Sequence, residues 1–183
     1  MTAPAAPSRV PARGLPAATL LLGGARSGKS ARALSLAEPW PARTLVATAE
    51  ALDAEMAERI ARHRAERGPG WTLIEEPLEL AHALRRRDPE AGVVVVDCLT
   101  LWLSNLMHRG RDVEHETDLL VDAIRVGGPT VLVSNEVGLG LVPETPLGRA
   151  FRDAQGRLNR TVAAACDRVE FVAAGLPLTL KGG

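Results

Sequence analysis

Between the apolar run "ATLLL" (18–22) and the helix-forming stretch "ARALSLAE" lies "GGARSGKS", residues 23–30. The spacing Gly23-x-x-x-x-Gly28-Lys29-Ser30 is that of a phosphate-binding loop. Glycines there let the backbone curl, so that successive N–H groups and the next helix N-terminus aim at phosphate oxygens. Lys29 offers a cation to the β- and γ-phosphates, and the Ser30 hydroxyl a ligand for Mg²⁺. The strand before and the helix after are the setting this motif needs. A chance match in a chain holding 17 glycines is the competing explanation.

A carboxylate and a histidine add to this. Asp97 ends the run "VVVVD", and in an open parallel sheet the ligand sits beyond the carboxyl ends of the strands. Asp97 could reach a metal held by Ser30, or it could simply cap the next helix, where Asp is favoured. In "EALDAEMAERIARHRAERG" (50–68), helical spacing places Leu52, Met56, Ile60 and His63 on one stripe, with Arg59 and Arg67 flanking it. A lone histidine on an apolar face is usually a packing residue. Flanking guanidinium groups favour neutral, nucleophilic imidazole and can also grip phosphate, so both readings of His63 stand. The loop "SNEVGLGLVPETPLG" (134–148) leaves another apolar strand with Asn135 and Glu136 at its exit, a place where α/β proteins often carry binding groups.

The elements that must position these residues follow from apolar patterning. Strands are expected at 18–22, 43–47, 71–75, 92–97, 129–134 and 169–174. Helices are expected at 29–38, 51–66, 77–87, 98–108, 113–126 and 147–167, the last repeating apolar residues at Leu147, Phe151, Ala154, Leu158, Thr161, Ala165 and Val169. Strands alternating with helices imply parallel crossovers, and "VVVV" and "TVLV" suit strands covered on both faces. The expected fold is α/β, a three-layer P-loop NTPase-like arrangement on a mostly parallel central sheet. Residues 18–183 are read as one catalytic domain behind a disordered tail, 1–17, rich in Ala and Pro and lacking the apolar core of a secretory signal.

Composition narrows the partners. Basic and acidic residues number 22 each, so no global basic field draws the chain to nucleic acid or an anionic membrane. No window approaches the about 18 to 20 apolar residues of a membrane span. A small-molecule substrate and a cytoplasmic location are expected. Cys98 and Cys166, without partners at metal-ligand spacing, read as buried core residues.

From about residue 19 to 181 the chain resembles the bifunctional adenosylcobinamide kinase/adenosylcobinamide-phosphate guanylyltransferases of cobalamin biosynthesis. The resemblance is carried, in order, by "GGARSGKS", "VATAEALDAEMAERIARHR", "WTLIEEP", "VVVDCLTLWLSNLM" and "VSNEVGLGLVPETPLGRAFRDAQGRLNRTVAAACDRVEFVAAGLPLTLK". It implies that His63 is the residue guanylylated. It further implies that Gly23, Gly24, Ala25, Arg26, Ser27, Gly28, Lys29 and Ser30 bind the triphosphate. Other nucleotide contacts are then Thr48, Ala49 and Glu50, then Arg64, Ala65, Glu66 and Arg67, and also Glu75 and Asp97, with Mg²⁺ at Ser30 and Asp97. Implied substrates are adenosylcobinamide with ATP or GTP, then GTP as GMP donor, and the implied assembly is a homotrimer. Two rivals remain: a slow GTP-hydrolysing switch, for which no "NKxD"-type motif is evident, and a simple kinase in which His63 is only structural.

Overall fold

A computed structural model describes residues 17–50, 70–87 and 92–182. The expected helix 51–66, with Leu52, Met56, Arg59, Ile60 and His63, and the tail up to residue 16 lie outside the described residues.

Among the described residues seven strands form one sheet in the order β3-β2-β4-β5-β1-β6-β7. They are β1 (Ala18–Leu22), β2 (Arg43–Ala47), β3 (Trp71–Glu75), β4 (Val93–Asp97), β5 (Thr130–Val133), β6 (Arg168–Ala173) and β7 (Leu176–Lys181). All neighbours are parallel except β6 and β7. Among the described residues the helices are α1 (Lys29–Ala37), α2 (Leu80–Arg85), α3 (Leu99–His108), α4 (Val113–Val126) and α5 (Pro146–Ala165).

Successive strand residues point to opposite faces, so the all-apolar strands feed two cores at once. Val94, Val96, Leu20 and Leu132 pack with Leu99, Trp102 and Leu106 of α3, Leu120 and Ile124 of α4 and Leu158 of α5. Their neighbours Val93, Val95, Leu21, Val131 and Val133 pack on the other face with Ala33 and Ala37 of α1. Each large side chain so buried contributes about 1.5–3 kcal/mol. Trp102 buries its ring and satisfies its one polar atom, Nε1 donating to the Leu78 carbonyl at 2.8 Å.

Two departures from the sequence reading have physical causes. In α5 the buried positions are Ala154, Gln155, Leu158, Asn159 and Val162, while Leu147 is 64% exposed. The helix is rotated from the expected stripe because two polar residues face inward. Ser134 at the end of β5 donates to Asn159 Oδ1 (2.6 Å) and accepts from Gln155 Nε2 (3.0 Å), and Asn159 Nδ2 donates to the Asn135 carbonyl (3.0 Å). Apolar periodicity does not register such a cluster. The other departure is β7, absent from the expected strands. Ala174 and Gly175 both have positive φ, as a two-residue hairpin turn requires, and Ala173 pairs with Leu176 across it. Pro177 masks the strand in the sequence, yet an edge strand tolerates proline.

Candidate active site

Parallel pairing brings the carboxyl ends of six strands to one edge. In register, Glu75 lies beside Ala47, Ala47 beside Asp97, and Asp97 beside Val133, which neighbours Leu21 of β1. The loop 23–30 leaves β1 at this edge, so Gly23–Ser30, Thr48, Ala49, Glu50, Glu75 and Asp97 are gathered there.

The loop conformation rests on its glycines. Gly23 and Gly28 have φ of 150° and 101°, angles that side chains disfavour. A Cβ on Gly23 would collide with the Val172 carbonyl oxygen, and one on Gly28 would come within 3.1 Å of Gly175 Cα. The β6–β7 hairpin therefore braces the loop from behind, and the Gly175 N–H donates to the Ser27 carbonyl at 2.8 Å. Gly28 is the N-cap of α1 without a side-chain cap bond, and no acidic residue occupies the first turn. That end of the helix is thus suited to an anion.

Lys29 is only 6% exposed, and its Nζ donates to the Gly24 carbonyl at 2.6 Å. Burial pulls its ammonium below the usual lysine range, a shift that Cys98 and Asp97 oppose. Capping does not account for Asp97: the N-cap of α3 is Cys98. Burial pushes the Cys98 thiol up to about 11 and that of Cys166 up to about 12, as befits inert core thiols.

Thr48 is fully buried. Its Oγ1 donates to the Cys98 carbonyl (2.7 Å) and accepts from the Cys98 N–H (2.9 Å), while its own carbonyl accepts from Asn105 Nδ2 (2.8 Å). The Thr48 side chain thus clips the end of β2 to the turn after β4. Glu50 accepts from Arg109 at 2.9 Å on the surface. His63, Arg64, Ala65, Glu66 and Arg67 lie outside the described residues.

Sequence reasoning missed the support behind the loop. Glu170 of β6 is fully buried and accepts Arg32 Nε and Nη2 of α1, both at 2.9 Å, and Arg168 Nε at 2.8 Å. This ties the phosphate-loop helix to the same hairpin that braces the loop. The Arg32 hydrogen bonds, with both guanidinium charges, hold the Glu170 carboxyl below its usual range against the cost of burial. Glu170→Gln is expected to destabilise the fold by about 1–3 kcal/mol, because it leaves two part-exposed guanidiniums on a neutral amide. A lowered folded-state pKa means this contribution is complete above the unfolded value, about 4.3, and is lost as pH falls through the folded one. Melting temperatures of the two proteins, measured from pH 7 downwards, should converge in acid; a constant gap would assign the effect to packing.

A model of the cobinamide kinase / cobinamide phosphate guanyltransferase family matches residues 19–180. The bifunctional adenosylcobalamin biosynthesis protein CobP of Pseudomonas aeruginosa is 47% identical over 167 residues, covering 89% of this chain and 96% of that protein. The corresponding CobU proteins of Salmonella typhimurium and Escherichia coli are each 35% identical over 178 residues, covering 88% of this chain and 98% of theirs.

Proposed function

Since the chain belongs to the cobinamide kinase / cobinamide phosphate guanyltransferase family, we propose that it phosphorylates adenosylcobinamide with ATP or GTP and then guanylylates the product. The observation that carries this reading is the gathering of the braced phosphate loop, Glu75 and Asp97 at one sheet edge. In the kinase step the aminopropanol hydroxyl of adenosylcobinamide attacks the γ-phosphorus, and the nucleoside diphosphate leaves. Such transfers depend on positioning and charge neutralisation, which loop amides and Lys29 supply.

In the second step a neutral ring nitrogen of His63 attacks the α-phosphorus of GTP. A P–N bond forms, the α–β anhydride breaks, and pyrophosphate departs. A phosphate oxygen of adenosylcobinamide phosphate then displaces the histidine, giving adenosylcobinamide-GDP. The covalent intermediate splits one hard displacement into two easier ones. Residues 64–67, Thr48–Glu50 and Glu75 complete the nucleotide site. Thr48 does so through the clip that shapes the β2 exit. Residues 18–183 form the catalytic unit, acting as a homotrimer in the cytoplasm; among the described residues no helix is long and apolar enough to cross a membrane.

Ser30 and Asp97 fit Mg²⁺. One carboxylate and one hydroxyl are hard oxygen donors of the kind that hold it together with substrate phosphates and waters, and Asp97 lies near enough to Lys29 for its charge to act there. When bound, the ion would neutralise charge on the phosphate oxygens. Asp97→Asn keeps shape and removes charge, so the Mg²⁺ concentration needed for half-maximal kinase activity should rise severalfold while thermal melting barely changes. An unchanged Mg²⁺ curve with a lowered melting temperature would assign Asp97 a structural role instead.

Incubation with GTP labelled at the α-phosphate tests the whole reading. The expected product is a protein adduct that is acid-labile and alkali-stable, discharged on adding adenosylcobinamide phosphate. A simple kinase forms no adduct, and a hydrolytic switch releases only free GDP and phosphate.

A further inference from the structure

Asn135 follows β5 at the sheet edge where the site is gathered, and it takes no part in the steps above. β5 runs between β4 and β1: Val133 is in register with Asp97 on one side and with Leu21 on the other. The bonding to β1 continues past the end of the strand. The Ser134 N–H donates to the Leu21 carbonyl at 2.9 Å, and the Glu136 N–H to the Gly23 carbonyl at 3.0 Å. Asn135 therefore stands on extended chain between Asp97 and the first glycine of the phosphate loop. Alternation of side chains settles its direction. Ser134 turns to Gln155 and Asn159 of α5, so Asn135 turns to the opposite face, where Val131 and Val133 pack with Ala33 and Ala37 of α1. That helix carries Lys29 and Ser30 in its first turn.

β4 has ended at Asp97, so on that side the Asn135 backbone has no strand to pair with, and side chains replace it. Its N–H donates to Thr100 Oγ1 at 2.8 Å, and its carbonyl accepts from Asn159 Nδ2 at 3.0 Å. Asn159 Oδ1 in turn accepts from Ser134 Oγ (2.6 Å) and Gln155 Nε2 (3.0 Å). Thr100, Ser134, Gln155 and Asn159 are all buried, and polar groups so placed cost free energy unless their bonds are made. The main chain they hold bears a free side chain: among the described residues the half-buried Asn135 amide makes no hydrogen bond. Glu136, next along, has its carboxylate on the Gly138 N–H of its own loop. A fixed backbone with an uncommitted amide presents N–H donors at a defined place.

We propose that the Asn135 side-chain amide donates a hydrogen bond to the γ-phosphoryl group of the bound triphosphate and holds it in line for attack. This rests on the triphosphate site proposed above and deepens it. Loop amides and the N-terminus of α1 serve the phosphates, and Lys29 reaches the β and γ groups. Lys29 feels the charge of Asp97, so the phosphate it grips lies at the exits of β4 and β5, where Asp97 and Asn135 stand on adjacent strands. A neutral donor suits that place. Asp97 already brings a negative charge, and a second carboxylate would repel the phosphate, whereas an amide binds it and leaves the charge balance with Lys29 unaltered. The contact also lets the site tell triphosphate from diphosphate, since only the triphosphate has a group there.

The test titrates wild type, Asn135→Ala and Asn135→Asp with GTP and with GDP, Mg²⁺ present throughout, and follows kinase kcat and thermal melting on the same preparations. GTP affinity should fall by about tenfold in Asn135→Ala and further in Asn135→Asp, whose carboxylate repels the γ-phosphate. GDP affinity should change by less than about twofold in both. Kinase kcat should drop by about tenfold or more, with melting near wild type because the side chain bonds nothing among the described residues. A residue that only shapes the β5 exit would weaken GTP and GDP alike. Equal losses, or none, overturn the proposal, and so does lowered melting with the preference for GTP over GDP intact. Should Asn135→Ala not fold, the isosteric Asn135→Asp decides; failure of both to fold makes Asn135 structural and overturns the proposal. Wild type that binds GTP without phosphorylating adenosylcobinamide refutes the kinase reading and leaves Asn135 to be judged by the two affinities. Wild type that binds neither nucleotide refutes the triphosphate site and the proposal with it.

Discussion

His63→Ala is expected to abolish the covalent guanylyl adduct and to reduce guanylyl transfer by about a thousandfold or more, the scale seen when an enzyme loses its nucleophile. Phosphorylation of adenosylcobinamide should remain measurable, because that displacement needs no protein nucleophile. The other three histidines offer no substitute. His82 faces solvent on α2, His115 faces solvent in the first turn of α4, and the exposed His108 bonds through Nδ1 to the Ser104 carbonyl at 2.8 Å. None stands among arginines in sequence as His63 does, between Arg59, Arg62, Arg64 and Arg67. Labelling with α-labelled GTP, run beside a kinase assay on the same preparation, reads both outcomes. A persistent adduct in the variant would falsify the assignment of His63.

Lys29→Ala should strike both activities. On the proposed reading each begins with a triphosphate in the same loop, and each develops charge on phosphoryl oxygens beside a nearly buried ammonium. Away from bulk water such a donor acts more strongly, and its loss costs about 2.7–4 kcal/mol of transition-state stabilisation, or about a hundredfold or more in kcat. The fold should persist. Among the described residues Lys29 Nζ hydrogen-bonds to loop atoms, the Gly24 carbonyl and Ser27 Oγ, while α1 is held by its packing through Ala33 and Ala37 and by Arg32 on Glu170. Kinase rate, self-labelling rate and thermal melting, measured together, separate a catalytic loss from unfolding. If either activity stayed at the wild-type level, a shared triphosphate site would be wrong.

The features readable in the chain itself are those whose cause is local. A strand that must be covered on both faces has to be apolar throughout, so "VVVV" and "TVLV" announce β4 and β5 before any partner is known. A backbone that curls around phosphate needs glycine where φ is positive, so Gly23 and Gly28 mark the loop, and Lys29 and Ser30 follow at fixed spacing. Asp97 is visible because it ends such a strand. Tertiary structure alone decided which distant residues complete these pieces. Arg32 meets Glu170 across 138 positions, and Ser134 meets Asn159 across 25, so no window of periodicity contains both partners. The strand order places Glu75, Ala47 and Asp97 in one row at the sheet edge through hydrogen bonds that pair backbones irrespective of side chain. The rotation of α5 that buries Gln155 and Asn159 also turns its arginines outward. It is settled by a polar contact with β5, which an apolar stripe in the sequence cannot encode.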